Sequence, residues 1–549
     1  MQFNLAEINE AIAAAIPDRE CIVFRDRRFT WRAFNDRTRR LANFLVAQGF
    51  GCHQERDALR TFESGQDHLG LYLHNGNEYL EGMVGAYKAR VAPFNVNYRY
   101  VQDELIYLLN DADCRVLIYH ARFAPTVARI RGELPHLRVL LQVQDESGEP
   151  LVPGALDYEA ALAQSRAERP VLPWSGDDLY ILYTGGTTGM PKGVLWRQED
   201  IFFGALGGTV LGGGTHTSVD SVVVAATAGN LRALPAPPFM HGASHWMAFS
   251  CLHQGGTVVI QPDPTRLDPD DVWSTVERER VGFLTIVGDA FGRPLLDQLD
   301  RKSYDLSDLR VILSGGAILT PALKQQFLER LPQAMIIDGF GASETGGQGS
   351  QVSMAGAAVS TGRFQMNEDT TVLKEDLSGP VAPTGEETGW LARRGHVPLG
   401  YFKDAEKTAR TFPVIGGVRY AVPGDHAQLL ADGTINVLGR GSVSINSGGE
   451  KVYPEEVEQA LKHHPAVYDA VVVGTPNERF GQQVTAVVQA RAGEQPSSGD
   501  LVEFCARHLA RYKLPRTIVF VDEMVRSPSG KADYRWAKAT ALRHLGLEP

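Results

Sequence analysis

Between Tyr183 and Gly193 the chain reads YTGGTTGMPKG, a run of glycines, threonines and one lysine. Gly185, Gly186 and Gly189 leave backbone N–H groups free to approach an anion, Thr184, Thr187 and Thr188 add hydroxyls, and Lys192 adds charge. Such a loop can wrap the β- and γ-phosphates of a nucleotide. The spacing is not that of a nucleotide-kinase loop, where lysine follows glycine and opens a helix. Here Pro191 precedes Lys192, offers no N–H and pushes Met190 out of the helical region. A glycine-rich connection without a ligand is the plainer alternative for this stretch taken alone.

A second pairing is legible in HAQLLADGTINVLGR. Asp432-Gly433 is the favoured two-residue hairpin turn, and that register sets Asp425 opposite Arg440 at the open end. As structure alone, such a cross-strand pair contributes roughly 0.2–1 kcal/mol.

The elements that must carry these residues alternate. Short β-rich runs (ECIVF, CRVLIYH, RVLLQV, LYILYT, TVVIQ, RVILSGG, AMIIDGFG) stand between helical patterns, which predicts an α/β fold with parallel-rich sheets. Near residue 390 the texture shifts to short strands with turn signals, predicting a small antiparallel or barrel-like subdomain. After Arg440 about 110 residues show their own compact α+β pattern, opened by Pro454 at a helix start where a missing N–H is harmless. Two domains are therefore expected, 1–440 and 441–549. The polar stretch 51–68 reads as a surface loop.

Composition bounds the function. The chain has 549 residues, a formal charge of -11 and an ordinary globular share of apolar residues, 43%. That balance argues against nucleic acid and anionic membrane surfaces as partners, both of which need basic patches. Five widely spaced cysteines without zinc-ligand spacing read as reduced thiols, the start lacks a signal-peptide pattern, and no apolar run reaches membrane-spanning length. A cytoplasmic location is expected.

The motif YTGGTTGMPKGV resembles the signature of the adenylate-forming superfamily of acyl-CoA synthetases, luciferases and peptide-synthetase adenylation domains. PAPPFMHG (235–242), DGFGASETG (338–346), VPGDHAQ (422–428), GRGSVSINSGGEKVYPEEVE (439–458) and SPSGKADY (527–534) follow in that superfamily's order. The resemblance covers nearly the whole chain. It implies a two-step reaction: a carboxylate attacks the α-phosphate of ATP to give acyl-AMP and pyrophosphate, then a thiol takes the acyl group and AMP leaves.

The resemblance also implies roles. Glu344, with Thr184, would hold Mg²⁺ on the triphosphate, and Ser343 keeps the hydroxyl of a usual threonine. Phe340 replaces a usual tyrosine and would stack on adenine, between Gly339 and Gly341. Gly315, Gly316 and Ala317 in LSGGA would form the opposite wall, with Asp338 as its edge partner. Asp425 would accept from the ribose hydroxyls, with Pro423 where the family has threonine, and Arg440 would be the second ribose contact. His241 would gate the acyl pocket against the thiol tunnel, while His245 reads as a helix residue. Lys531 would bridge substrate carboxylate and α-phosphate. Gly448 and Gly449 belong to the loop that would line the tunnel, after a hinge at Ser442 where the family carries Asp or Lys.

The expected activity is an AMP-forming acyl-CoA synthetase using ATP, Mg²⁺ and coenzyme A, with no membrane span and a homodimer left open. The alternatives are an acyl-AMP ligase that loads a carrier protein in trans, and a non-catalytic nucleotide-binding protein. The GRGSVSINSGGEKVYPEEVE stretch is similar to bacterial synthetases for long-chain fatty acids and steroid side-chain acids. Gly242, Ala243, Ser244, Gly288 and Ala290 suggest a roomy pocket for a bulky or long apolar acid.

Overall fold

A computed structural model describes the chain except residues 1–2, 185–189, 210–213, 441–442, 448–449, 478–479, 527–529 and 548–549, and the side chains of Arg440, Asn446, Glu450 and Lys451. One sheet is wholly parallel, ordered Ala92–Asn95, His68–Tyr72, Cys114–His120, Val139–Val143 and Leu156–Asp157. Its central strands are apolar on both faces, as parallel strands covered on two sides must be.

The larger sheet has thirteen strands among the described residues. Six run parallel: Glu20–Phe24, Thr257–Ile260, Arg232–Pro235, Phe283–Ile286, Val311–Gly315 and Met335–Ala342. Helix Asn77–Lys88 is buried along its whole length, which forces each of its charges to find a partner. Glu81 takes Arg37 at 2.7 Å, Lys88 takes Glu10 at 2.7 Å, and Glu78 takes Arg27 at 2.8 Å.

Beyond Met335–Ala342 the large sheet continues antiparallel through Gly346–Met354, Arg363–Met366, Thr434–Arg440, Asp425–Leu429, Thr388–Arg393 and Thr370–Leu373. This is the expected small subdomain, hydrogen-bonded edge to edge with the parallel strands. Phe364 faces Ile435 on the neighbouring strand, and the sheet curls enough for Phe340, three strands from Ile435, to pack on the same cluster of Val372, Leu391, Ala427 and Ile435.

The hairpin Asp425–Arg440 corrects one expectation and keeps another. Leu430 N–H donates to Thr434 O at 2.8 Å, so the connection is three residues, 431–433, rather than the two-residue Asp432-Gly433 turn. Gly433 holds φ +80, the left-handed position such a three-residue loop demands. Near the loop Leu429 therefore faces Ile435 and Ala427 faces Val437. A bulge then takes up Leu438, and His426 faces Gly439. The two irregularities cancel, and Asp425 does stand opposite Arg440.

The C-terminal unit builds on strand Gly481–Ala490, antiparallel to Val467–Asn477 and parallel to Thr517–Val521. Helices Pro454–Lys462 and Ser498–Ala506 cover one face through Val457, Leu461 and Leu501; helix Tyr534–His544 covers the other through Ala537 and Ala541. Among the described residues no helix is long and apolar enough to cross a membrane, and all five cysteines are free.

Candidate active site

Strands Val311–Gly315 and Met335–Ala342 are in register, Ser314 beside Asp338 and Gly315 beside Gly339. LSGGA leaves the sheet after Gly315, while DGFGA continues as strand paired with Gly346–Met354, so the carboxyl end of Val311–Gly315 opens beside DGFGA, at the edge where open α/β sheets bind ligands. Gly316 is exposed there at φ +82, a conformation a side chain resists. Gly341 is glycine for packing: a Cβ there would meet Gly346 O at 2.2 Å. Phe340 is half-buried, its ring 5.5 Å from Phe364.

Asp338 is spoken for. Its carboxylate is ion-paired with Lys324, whose Nζ also donates to Ser360 O at 2.7 Å. Burial raises the Asp338 carboxyl to about 6, against the opposing pull of Lys324.

Glu344 is buried and accepts a 2.7 Å hydrogen bond from the Tyr401 hydroxyl. Its loop is pinned by Trp196 Nε1 donating to Ser343 O at 3.0 Å, and by Arg393 Nη1 donating to the carbonyls of Thr345 (2.5 Å) and Gly347 (2.9 Å). Among the described residues no three metal-ligating side chains cluster. A single oriented carboxylate still fits Mg²⁺, which keeps waters and takes most oxygens from substrate phosphates.

Thr184 ends strand Leu179–Thr184 and faces Lys192, the first residue of the antiparallel strand Lys192–Arg197. The strands on either side thus pair as a hairpin, unlike the strand-to-helix setting of the kinase pattern. Gly185, Gly186, Thr187, Thr188 and Gly189 lie outside the described residues. Lys192 Nζ is 3.5 Å from Asp404. Burial opposes its charge, but Tyr107, Asp111 and Asp404 prevail and raise its pKa.

Asn95, which no motif announced, ties the hairpin to the PPFMHG turn. Its Nδ2 donates to Tyr183 O and Met240 O, both at 2.8 Å, and its Oδ1 accepts from Tyr183 N–H at 2.7 Å. Asn75 and His245 hold the same turn. Asn75 receives the Phe239 N–H at 2.6 Å, and His245 Nδ1 donates to Phe239 O at 2.7 Å. His245 is therefore a buried clamp, bonded also to Tyr180.

His241 precedes helix Gly242–His253 with its Nε2 buried and lacking a hydrogen-bond partner. Burial, then the charge of Lys531, lowers its pKa to about 3. At working pH the ring is neutral and cannot supply a basic limb near pH 6.5. His241→Phe is expected to keep adenylation within about threefold and leave the pH–rate profile between pH 6 and 8 unchanged, a shape gate costing less than a lost proton-transfer group. A limb that vanishes in the variant would show a titrating catalytic role instead.

Four of the small residues expected to line the acyl pocket have a local packing role. Gly288, at φ +50, is glycine because a Cβ would meet Ile318 O at 2.4 Å, and Ala290 lies against Gly530 of the C-terminal unit. Ser244 is buried with its hydroxyl on Pro237 O at 2.5 Å, and a Cβ at Gly242 would press on Trp246. Small size at these positions serves close packing.

Lys531 reaches the strand-end slot from the other unit. Its Cε comes within 3.5 Å of where a Cβ of Gly316 would stand, and its charge acts on His241. Asp425 is buried at the head of its strand. Gly448 and Gly449 lie outside the described residues, as does Ser442.

Comparison with known proteins identifies the family. Residues 9–402 match the family model for AMP-binding enzymes, and 456–531 match the AMP-binding enzyme C-terminal domain. The chain is 54% identical over 542 residues to a medium-chain acyl-CoA ligase, Mig, of Mycobacterium avium, covering 98% of each. It is 44% identical to a medium/long-chain-fatty-acid–CoA/3-oxocholest-4-en-26-oate–CoA ligase of Mycobacterium tuberculosis, covering 97% of this chain and 95% of the relative. A crystal structure of the anthranilate CoA ligase AuaEII with anthranoyl-AMP shares the fold at TM-score 0.82 and 24% identity, covering 100% of this chain and 98% of that one. The protein belongs to the AMP-binding enzyme family, alongside relatives named as acyl-CoA ligases.

Proposed function

We propose that the protein uses ATP to activate a medium- to long-chain or comparably bulky apolar acid as acyl-AMP, then transfers the acyl group to coenzyme A. The observation that carries the first step is Lys531, brought from the C-terminal unit to Gly316 and His241 at the carboxyl edge of the sheet. A compact ammonium there can neutralise two approaching anions, the carboxylate and the α-phosphate. Glu344, oriented by Tyr401, would hold Mg²⁺, which supplies charge neutralisation on the leaving pyrophosphate. Asp425 and Arg440 would hold the ribose.

The thiol step needs the slot cleared. We infer that residues 441–549 swing about Gly441 and Ser442, withdrawing Lys531 and presenting the loop of Gly448 and Gly449 to the pantetheine arm. The acid class rests on the relatives, one named for medium-chain acids and another also for a steroid side-chain acid.

The test is pyrophosphate release with straight-chain acids from acetate to stearate, with benzoate, and with a steroid side-chain acid, each with and without coenzyme A. Release should peak at medium or longer apolar acids, and thioester should form only with coenzyme A. A peak at acetate or benzoate would overturn the acid class. Adenylate that accumulates untouched by coenzyme A would favour carrier-protein loading.

A further inference from the structure

Four buried or nearly buried charges run from the N-terminal domain to the backbone carbonyl that precedes Lys531. Asp289 lies in the first turn of helix Gly288–Leu299, 7% exposed. Its Oδ1 accepts the Thr320 N–H at 2.8 Å, whereas its Oδ2 is buried without a hydrogen-bond partner. The nearest ion-pair partner of Oδ2 comes from the other unit: Lys462 Nζ, at the end of helix Pro454–Lys462, 4.0 Å away. Lys462 also stands 3.3 Å from Asp469 Oδ1 on strand Val467–Asn477. Asp469 in turn takes a two-pronged contact from Arg526, at 2.6 and 2.5 Å. The remaining nitrogen of Arg526 donates to Gly530 O at 3.1 Å, and Arg526 bridges to Ala532 across the turn.

The same helix carries the rest of the contact. Gly530 lies against Val287 and Ala290, and Arg293 stacks over Tyr468 at 5.2 Å. A buried carboxylate oxygen left without a partner costs stability, so Asp289 is placed to reward the arrival of a cation.

We propose that Asp289, Lys462, Asp469 and Arg526 form a latch that couples docking of the C-terminal domain to the placement of Lys531. The proposal rests on the two-pose reading above. Lys462 meets Asp289 when the domain is docked for adenylation, and Arg526, anchored on Asp469, fixes the carbonyl from which Lys531 projects. These four are positioning residues: they act through Lys531. In the thioester-forming pose the Asp289 contact is broken and the latch contributes nothing.

The two half-reactions separate this from a merely structural role. Asp289→Asn keeps the bond to Thr320 and removes the charge, and Lys462→Gln removes its partner. Each is expected to lower the kcat of acid-dependent pyrophosphate release about tenfold, as loss of one charge-assisted contact does, with the ATP KM nearly unchanged. Conversion of supplied acyl-AMP and coenzyme A to thioester should hold or rise in both. The double variant should fall no further than either single, because both remove one contact. Arg526→Gln should act likewise, and Arg526→Lys should recover only part, since one ammonium cannot serve Asp469 and the Gly530 carbonyl together.

Hydrogen exchange on the intact chain gives a readout independent of the acid. Exchange across 288–299 and 454–462 should quicken in Asp289→Asn and Lys462→Gln while strand Gly481–Ala490 stays protected. Equal losses in both half-reactions, additive single effects or unchanged exchange would each overturn the latch. A wild type that releases no pyrophosphate with any acid would overturn the proposed function, and the exchange comparison would still decide the latch.

Discussion

Lys531→Ala is expected to slow acid-dependent pyrophosphate release by about 10²–10³-fold, the ~3–4 kcal/mol that one preorganised cation contributes to a transition state. The lysine stands on a loop of the C-terminal unit yet reaches Gly316 of the other, outside the apolar clusters that hold either unit together. Truncation should therefore leave folding intact. The variant should still convert supplied acyl-AMP and coenzyme A to thioester at close to the wild-type rate, because a transition-state contact of the first step has no part in the second. Gly449→Leu, read from its motif alone, should show the opposite split: adenylate forms while the thiol's path is obstructed. Separate assays of each half-reaction check both. A Lys531→Ala enzyme slowed equally in the two halves would mean that the lysine serves both steps or holds the fold.

Asp425→Ala should raise the apparent KM for ATP by about 10–100-fold, the loss of hydrogen bonds from a charged acceptor worth about 1.5–3 kcal/mol. The KM for the acid should change little. Asp425 is buried, and alanine preserves the strand pairing with Arg440, so the thermal midpoint should move modestly. Steady-state kinetics with each substrate varied in turn, beside a melting curve, is the measurement. Equal rises in both KM values with a collapsed midpoint would assign Asp425 to the hairpin alone.

The pairing of Asp425 with Arg440 was legible because strand period and turn residues are local properties. The turn itself was misjudged, since nothing local announces that Leu438 will be set aside in a bulge. Lys531 was legible only through its motif; a lone lysine on a loop carries no address. Asn95, Tyr401 and Lys324 gave no signal at all. Asn95 acts on Tyr183 from 88 residues away and Tyr401 on Glu344 from 57, so their roles exist only once the chain has closed. Gly288 was ambiguous for a related reason: a small residue looks the same in sequence whether it clears space for a ligand or, as a Cβ there would require, for a neighbouring carbonyl. Asp338 is the converse case, a motif acid whose carboxylate is occupied by a lysine fourteen positions earlier.

The curl of the large sheet has a consequence for how the site and the fold depend on one another. Gly315 and Asp425 stand on strands separated by four others in the hydrogen-bonded order, a lateral path of about 24 Å in a flat sheet at ~4.8 Å per strand. A nucleoside is far shorter than that. If Gly315 lines the base site and Asp425 the ribose site as proposed, the antiparallel end must roll back toward the parallel strands to hold both, and Phe340 packs on the cluster at that end. A bound nucleotide would act as a clasp across the open seam of that roll, joining edges that the backbone leaves apart. Occupancy would then tighten the very strands that recognise the ligand, so part of the affinity for ATP would be expressed as resistance of this end of the sheet to unrolling.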